Sequence, residues 1–131
     1  MVFVYERSIH FIETDAAGIM NFAHGLAICH EAYEASLGHA GIEVAKFFSA
    51  RAIAVPITYA SIDYNRPSYC GDRIQVHLRP AFVSDTEFKI SYQLYGSDGV
   101  LRSQAQTRQL RIALAMIARL ETAAFACDWL P

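Results

Sequence analysis

The sequence predicts an α+β domain in which one antiparallel five-stranded sheet wraps around a single long central helix. Three observations carry this reading. Residues 22 to 37 are the one extended stretch whose apolar positions repeat at helical spacing. One run before it, residues 2 to 13, and four runs after it between residues 55 and 114 are rich in aromatic and β-branched residues and alternate with a period of two. The later runs are joined by short turns, which makes neighbouring strands antiparallel. At 131 residues the chain is one domain by length, and it can bury a core without disulfides or metal.

In order, residues 2 to 13 place Phe3, Tyr5, Arg7, Ile9 and Phe11 on one parity and Val4, Glu6, Ser8, His10 and Ile12 on the other, a first strand. Thr14 to Gly18 breaks the alternation with a turn-forming Asp and a Gly. Asn21 is an N-cap, and Phe22, Leu26, Cys29, Tyr33 and Leu37 follow as an apolar stripe at spacings of 4, 3, 4 and 4. Gly25, Ala32 and Ser36 lie along its edge, His24, Glu31 and Glu34 point elsewhere, and Gly38 is the expected stop. Residues 42 to 51 read as a connector.

Val55 to Tyr64 is a second strand, whose early Pro56 marks a strand start or bulge. Pro67 and Gly71-Asp72 punctuate the chain before Arg73 to Phe82 alternates again, and Ser84-Asp85 turns it into Phe88 to Tyr95. Gly96-Ser97-Asp98-Gly99 is a hairpin turn signal. A fifth strand from Leu101 to Leu114 carries Ala105, Thr107, Gln109 and Arg111 on one face, and the tail from Met116 to Pro131 reads as a short covering helix. Internal repeats and low-complexity segments are absent from the sequence.

Composition narrows the function classes. A formal net charge of −2, with 11 scattered Lys and Arg, gives no basic patch for phosphate backbones, so nucleic acid is not the expected partner. Hydrophobic residues make up 53% and charged residues 18%, which suggests that some apolar surface meets another subunit: a homo-oligomer, dimer or tetramer. Cys29, Cys70 and Cys127 have no CxxC spacing and the five histidines form no cluster, pointing to a reducing compartment and no metal site. The N-terminus lacks signal-peptide order, and no run approaches the ~20 apolar residues of a membrane span. The expected location is the cytoplasm.

One stretch stands out chemically. Glu13 to Phe22 sets an acidic residue, Asp15, in a turn with Gly18 just before a helix start, so that a carboxylate sits beside backbone N–H groups with no intrahelical partner. That pairing suits acyl chemistry, with the carboxylate as nucleophile or base and the amides facing a developing oxyanion. The plainer role for Asp15 is to cap its own turn.

Three stretches together resemble the hotdog-fold acyl-CoA thioesterases of the 4-hydroxybenzoyl-CoA thioesterase branch. They are Thr14-Asp15-Ala16-Ala17-Gly18-Ile19, similar to the family's D-x-x-G turn; Cys29 to Gly38, similar to its central helix; and Ile62-Asp63-Tyr64-Asn65-Arg66-Pro67 followed by Gly71-Asp72-Arg73-Ile74. Within the branch, His30 to Glu34 and Ala60 to Asp63 look most like the cyanobacterial and plastid-type 1,4-dihydroxy-2-naphthoyl-CoA thioesterases of phylloquinone synthesis.

The resemblance implies hydrolysis of an aromatic acyl-CoA without a cofactor. It puts the catalytic carboxylate on Asp15 and the oxyanion donor on the Phe22 N–H, with Gly18 in the turn. It also places the strand of Tyr59 and Ser61 along the acyl pocket of a neighbouring subunit. His24, in the first helical turn, is a candidate substrate contact. Lys89, Arg108 and Arg111 are candidates for the phosphates of coenzyme A. Glu31 and Glu34 read as solvated or subunit-contact residues, and His30 as a hydrogen-bonded structural histidine. The chain departs from the family at Asn21, where many members carry an aromatic residue. A hydratase of this fold typically has a His five residues after its Asp, where this chain has Met20. The rival readings are a thioesterase for other acyl-CoA or acyl carrier protein substrates and a non-catalytic acyl-binding protein.

Overall fold

The computed structural model describes residues 2–41, 53–110 and 112–113. The connector at 42–51, the tail from Met116, Arg111 and Cys127 lie outside the described residues.

The first strand, β1 (Phe3–Ser8), is shorter than its alternation suggested. Its partner β4 (Arg73–Phe82) begins opposite Ser8, so the ladder runs out there. Ile9 then exchanges backbone hydrogen bonds with Asp72 and Gly71, at 2.8 Å each, and Phe11–Glu13 closes into a 3-10 turn. Phe11 consequently sits 84% exposed while Glu13 is buried, the reverse of what hydrophobicity alone would give.

The helix α1 (Phe22–His39) starts where expected, with the Asn21 side chain accepting from the Ala23 N–H at 2.9 Å. Gly38 does not end it. The helix runs on to His39, and Gly41, at φ +83°, reverses the chain by donating its N–H to the Gly38 carbonyl. The buried face also differs from the apolar stripe. Gly25, Ile28, Cys29, Ala32 and Tyr33 are buried, Leu26 and Leu37 are only partly so, and Phe22 is 79% exposed. Small residues lie where the sheet comes closest: a Cβ on Gly25 would run into the Tyr64 hydroxyl and stand 2.7 Å from Ile62 Cδ1.

After Ile53–Ala54 (β2), the chain forms β3 (Ile57–Tyr64), β4, β5 (Glu87–Gly96) and β6 (Leu101–Leu110), and the antiparallel sheet has the order β1-β4-β5-β6-β3. Five strands and one long helix are as the sequence predicted. The register slips between Ile57 and Tyr59, immediately after Pro56. The expected fifth strand stops at Leu110, and Ile112–Ala113 (β7) pairs instead with β2 as a separate two-stranded ribbon.

Inward-facing Ile74, Val76, Leu78, Ile90, Tyr92 and Leu94 from β4 and β5 pack on Ile28, Cys29, Ala32 and Tyr33 of the helix. The inward face of β6 is polar: Ser103, Thr107 and Gln109 are buried, and the Gln109 amide donates to Thr107 Oγ1 at 2.8 Å. Among the described residues no helix is long and apolar enough to cross a membrane.

Candidate active site

The segment from Glu13 to Asn21 is a loop clamped at its base. The Asn21 N–H donates to the Glu13 carbonyl at 2.7 Å, and Thr14 pairs with Met20. Its far side is pinned to the loop ahead of β4, where the Met20 N–H reaches Ser68 O at 2.7 Å and the Cys70 N–H reaches Gly18 O at 3.0 Å. Gly18, at φ +76°, makes the reversal that residues with a Cβ rarely adopt.

Inside this loop Asp15 Oδ1 accepts from the Ala17 N–H at 2.8 Å and the Ile19 N–H at 3.2 Å. The capping role is therefore real. It occupies one carboxylate oxygen and fixes the side chain, and no described group donates to the exposed Oδ2. A few residues on, Phe22 is the first residue of α1, so its N–H has no intrahelical acceptor and lies at the positive end of the helix dipole. Asp15, Gly18, the Phe22 amide and His24 thus belong to one continuous segment. His24 is half-buried, and its Nδ1 is shielded from solvent without a hydrogen-bond partner.

A cavity of about 280 Å³ opens beside the helix start, lined by Ile19, Met20, Phe22, Tyr64, Arg66 and Pro67 among others. Tyr64 crosses the first helical turn, its hydroxyl donating to the Phe22 carbonyl. Burial raises its pKa above the usual tyrosine value. Sequence reading passed over Tyr64 and Arg66. The signal was available in the parity of β3, which puts Tyr64 with Ile62, and in a glycine three residues into the helix.

The other expected site residues lie elsewhere in the protomer. Tyr59 and Ser61 are paired with Arg108 and Gln106 and share the parity that faces away from α1. The Arg108 guanidinium lies 5.3 Å from the Tyr59 ring centroid. Lys89 is the cross-strand neighbour of Arg108, so two of the three expected phosphate contacts are adjacent on that outer face. Arg79, on the same face of β4, adds a cation that sequence reading did not select. These groups are not brought to the Asp15 loop within one chain: Tyr59 is five residues from Tyr64, about 16 Å along the strand. A larger cavity of about 430 Å³, lined by Glu6, Arg73, His77 and Tyr95, also lies on the outer face, away from the loop.

Glu31, expected on a solvated or contact face, is partly exposed and also accepts from Tyr5 Oη at 2.6 Å and from Arg7. His30 is exposed; its ring lies 6.1 Å from that of Tyr33.

A profile of the thioesterase-like superfamily matches residues 9–124, most of the chain, with all of the loop and helix just described and every strand of the sheet but β1. The chain belongs to the thioesterase-like superfamily. Among relatives in this superfamily, a 1,4-dihydroxy-2-naphthoyl-CoA hydrolase of Crocosphaera subtropica is 44% identical over 128 residues, covering 96% of this chain and 93% of its own length. A hydrolase of the same name from Trichodesmium erythraeum is 50% identical over 95 residues, 72% of this chain and 69% of its own. A solved 1,4-dihydroxy-2-naphthoyl-CoA thioesterase from Synechocystis superimposes with a TM-score of 0.83 at 36% identity, over 87% of this chain and 84% of that one. The superfamily's hotdog fold is the fold of this chain.

Proposed function

We propose that this chain hydrolyses 1,4-dihydroxy-2-naphthoyl-CoA to the free naphthoate and coenzyme A, with Asp15 as its catalytic carboxylate and the Phe22 N–H as oxyanion donor. The observation that carries the substrate is the near full-length likeness to the Crocosphaera subtropica hydrolase. What supports the residue roles is the geometry: a carboxylate with one oxygen tied by two amides and one free, a few residues from an unpartnered helix amide.

The chemistry needs no cofactor. In one route Asp15 attacks the thioester carbonyl, the coenzyme A thiolate leaves, and water opens the resulting anhydride. In the other Asp15 takes a proton from the attacking water. In both, negative charge on the carbonyl oxygen is met by the Phe22 N–H. Single-turnover hydrolysis in ¹⁸O-labelled water identifies the first route when water opens the anhydride at the Asp15 carbonyl, because the first product then carries an unlabelled enzyme oxygen and Asp15 takes up the label.

In this reading the site is completed by a second copy. β3 is an edge of the sheet with eight residues and exposed Ile57, Tyr59 and Tyr64, a surface suited to strand pairing. Tyr59 and Ser61 reach a substrate only from that neighbouring copy, and Lys89, Arg108 and Arg79 receive the coenzyme phosphates. The free thiols Cys29 and Cys70 fit a reducing, cytoplasmic setting.

The test is Asp15→Asn assayed with a panel of thioesters by release of free thiol. Asn keeps an oxygen acceptor for the Ala17 and Ile19 amides, so the variant folds and holds its oligomeric state while turnover is lost. Near-normal turnover would refute the assignment of Asp15, and preference for aliphatic over aromatic acyl groups would refute the substrate.

A further inference from the structure

Below the Asp15 loop lies a charge cluster that the proposed chemistry does not use. Arg7, on the inward face of β1, is 7% exposed, and its guanidinium is shared between two carboxylates from different elements. One Nη1 meets both oxygens of Glu31 on α1, at 3.0 Å each. Nη2 donates to Glu13 Oε1 on the 3-10 turn, and Nε donates to the Ser8 carbonyl at 3.0 Å. Tyr5 Oη adds a donor to Glu31 at 2.6 Å, and the His10 N–H adds one to Glu13 at 2.8 Å.

Such a cluster is an inefficient stabiliser. It carries two negative charges to one positive, and apolar side chains of similar volume generally serve a core as well as a buried ion pair. What it does supply is geometry, since a planar fork fixes its partners in direction as well as distance. Its partners are informative. Glu13 is the residue whose carbonyl receives the Asn21 N–H, closing the base of the Asp15 loop, and Glu31 stands on the helix whose first amide is the oxyanion donor. The guanidinium therefore ties the carboxylate's loop and the donor's helix to one strand.

We propose that Arg7 is a positioning residue that sets the Asp15 loop in register with the N-terminus of α1, through Glu13 on one side and Glu31 on the other. This rests on the reading of Asp15 as the catalytic carboxylate. It assigns to Glu31 and Glu13 a common role as the two anchors of that alignment, and to Tyr5 the part of holding the Glu31 carboxylate in place.

The experiment compares the wild type with Arg7→Met and with the triple variant Arg7→Met/Glu13→Gln/Glu31→Gln, which removes the whole cluster without leaving a buried carboxylate unpaired. Three quantities are read: kcat and KM with the thioester, thermal unfolding, and amide hydrogen exchange across residues 14–22. A misplacement of the reacting groups of about an ångström lowers kcat by tenfold or more, with KM moving by about twofold or less. The expected result is that loss in both variants, with faster exchange confined to residues 14–22 and a triple variant that unfolds near the wild-type temperature. Arg7→Lys, which keeps the charge and loses the fork, falls between. A triple variant with wild-type kcat, or an Arg7→Met protein with unchanged exchange in the loop, would overturn the proposal. If Asp15→Asn retains turnover, the catalytic reading fails, and the exchange data still decide the alignment separately.

Discussion

Gly25 offers a sharp test of how the sheet approaches the helix. In an ordinary helix interior, Gly→Ala stabilises by up to about 1 kcal/mol. Here the new Cβ would run into Tyr64 Oη and would stand 2.7 Å from Ile62 Cδ1 and 2.9 Å from Tyr64 Cε1, all closer than such contacts occur. The ring must move, with a penalty of about 1–3 kcal/mol for overpacking. Its hydrogen bond to the Phe22 carbonyl is lost as well, for about 1 kcal/mol more. The balance is a destabilisation of roughly 2 kcal/mol, or about 6–8 °C in Tm for a domain of this size. Differential scanning calorimetry reads this directly. Gly38→Ala is the control: no described heavy atom lies within 4 Å of its Cβ position, and it should raise Tm by a degree or two, about 0.5 kcal/mol so near the helix end. Tyr64→Phe removes the nearest of the three atoms, so it should be less damaging in the Gly25→Ala background than in the wild type. A Gly25→Ala protein whose Tm rises like that of Gly38→Ala would refute the close approach of Tyr64 to the helix.

Three further outcomes follow from the same geometry. Asn21→Ala removes the acceptor of the Ala23 N–H and should lower stability by about 1 kcal/mol by chemical denaturation, with kcat falling because the helix start frays beside Phe22. Burial pushes the Cys29 thiol up to about 12 from 9.0 and the Tyr92 hydroxyl up to about 12 from 10.0. Both groups are buried in their neutral form, so the stability they contribute is complete below about pH 9 and is lost as pH rises toward 12. Denaturation midpoints measured from pH 7 upward should therefore decline from pH 9, and Cys29→Ala should flatten part of the slope. Native protein treated with a thiol reagent at pH 8 should react at the exposed Cys70 and not at the buried Cys29; equal labelling of both would contradict the packing of Cys29.

Much of this architecture was legible because it is local. Alternation located β1, β3, β4, β5 and β6, and Asn21 announced the helix start through capping chemistry that needs only its near neighbours. The Asp15 turn was readable for the same reason, since its Asp and Gly act within the loop. What escaped depended on partners distant in sequence. The wheel favoured Phe22 and Leu37 because it weighs hydrophobicity, whereas the buried face is set by where small residues let the sheet come near, as at Gly25 and Ala32. Alternation carried the first strand on through Phe11 and Ile12, but the ladder had already lost its partner at Arg73. The ion pair of Glu31 escaped notice because nothing on its own helix reveals Arg7, 24 residues earlier. Parity also showed that Tyr59 and Ser61 share a face without saying which, and the register slip after Ile57 hides the phase.

The clamped base of the 14–20 loop separates two demands on the sequence. Its closure uses backbone groups of Glu13, Thr14, Gly18, Met20, Asn21, Ser68 and Cys70, none of which depends on the side chains displayed at positions 16, 17 and 22. Those three side chains are exposed and can change without repacking the interior. The surface around Asp15 can therefore be altered at these positions without disturbing the backbone that holds the loop closed.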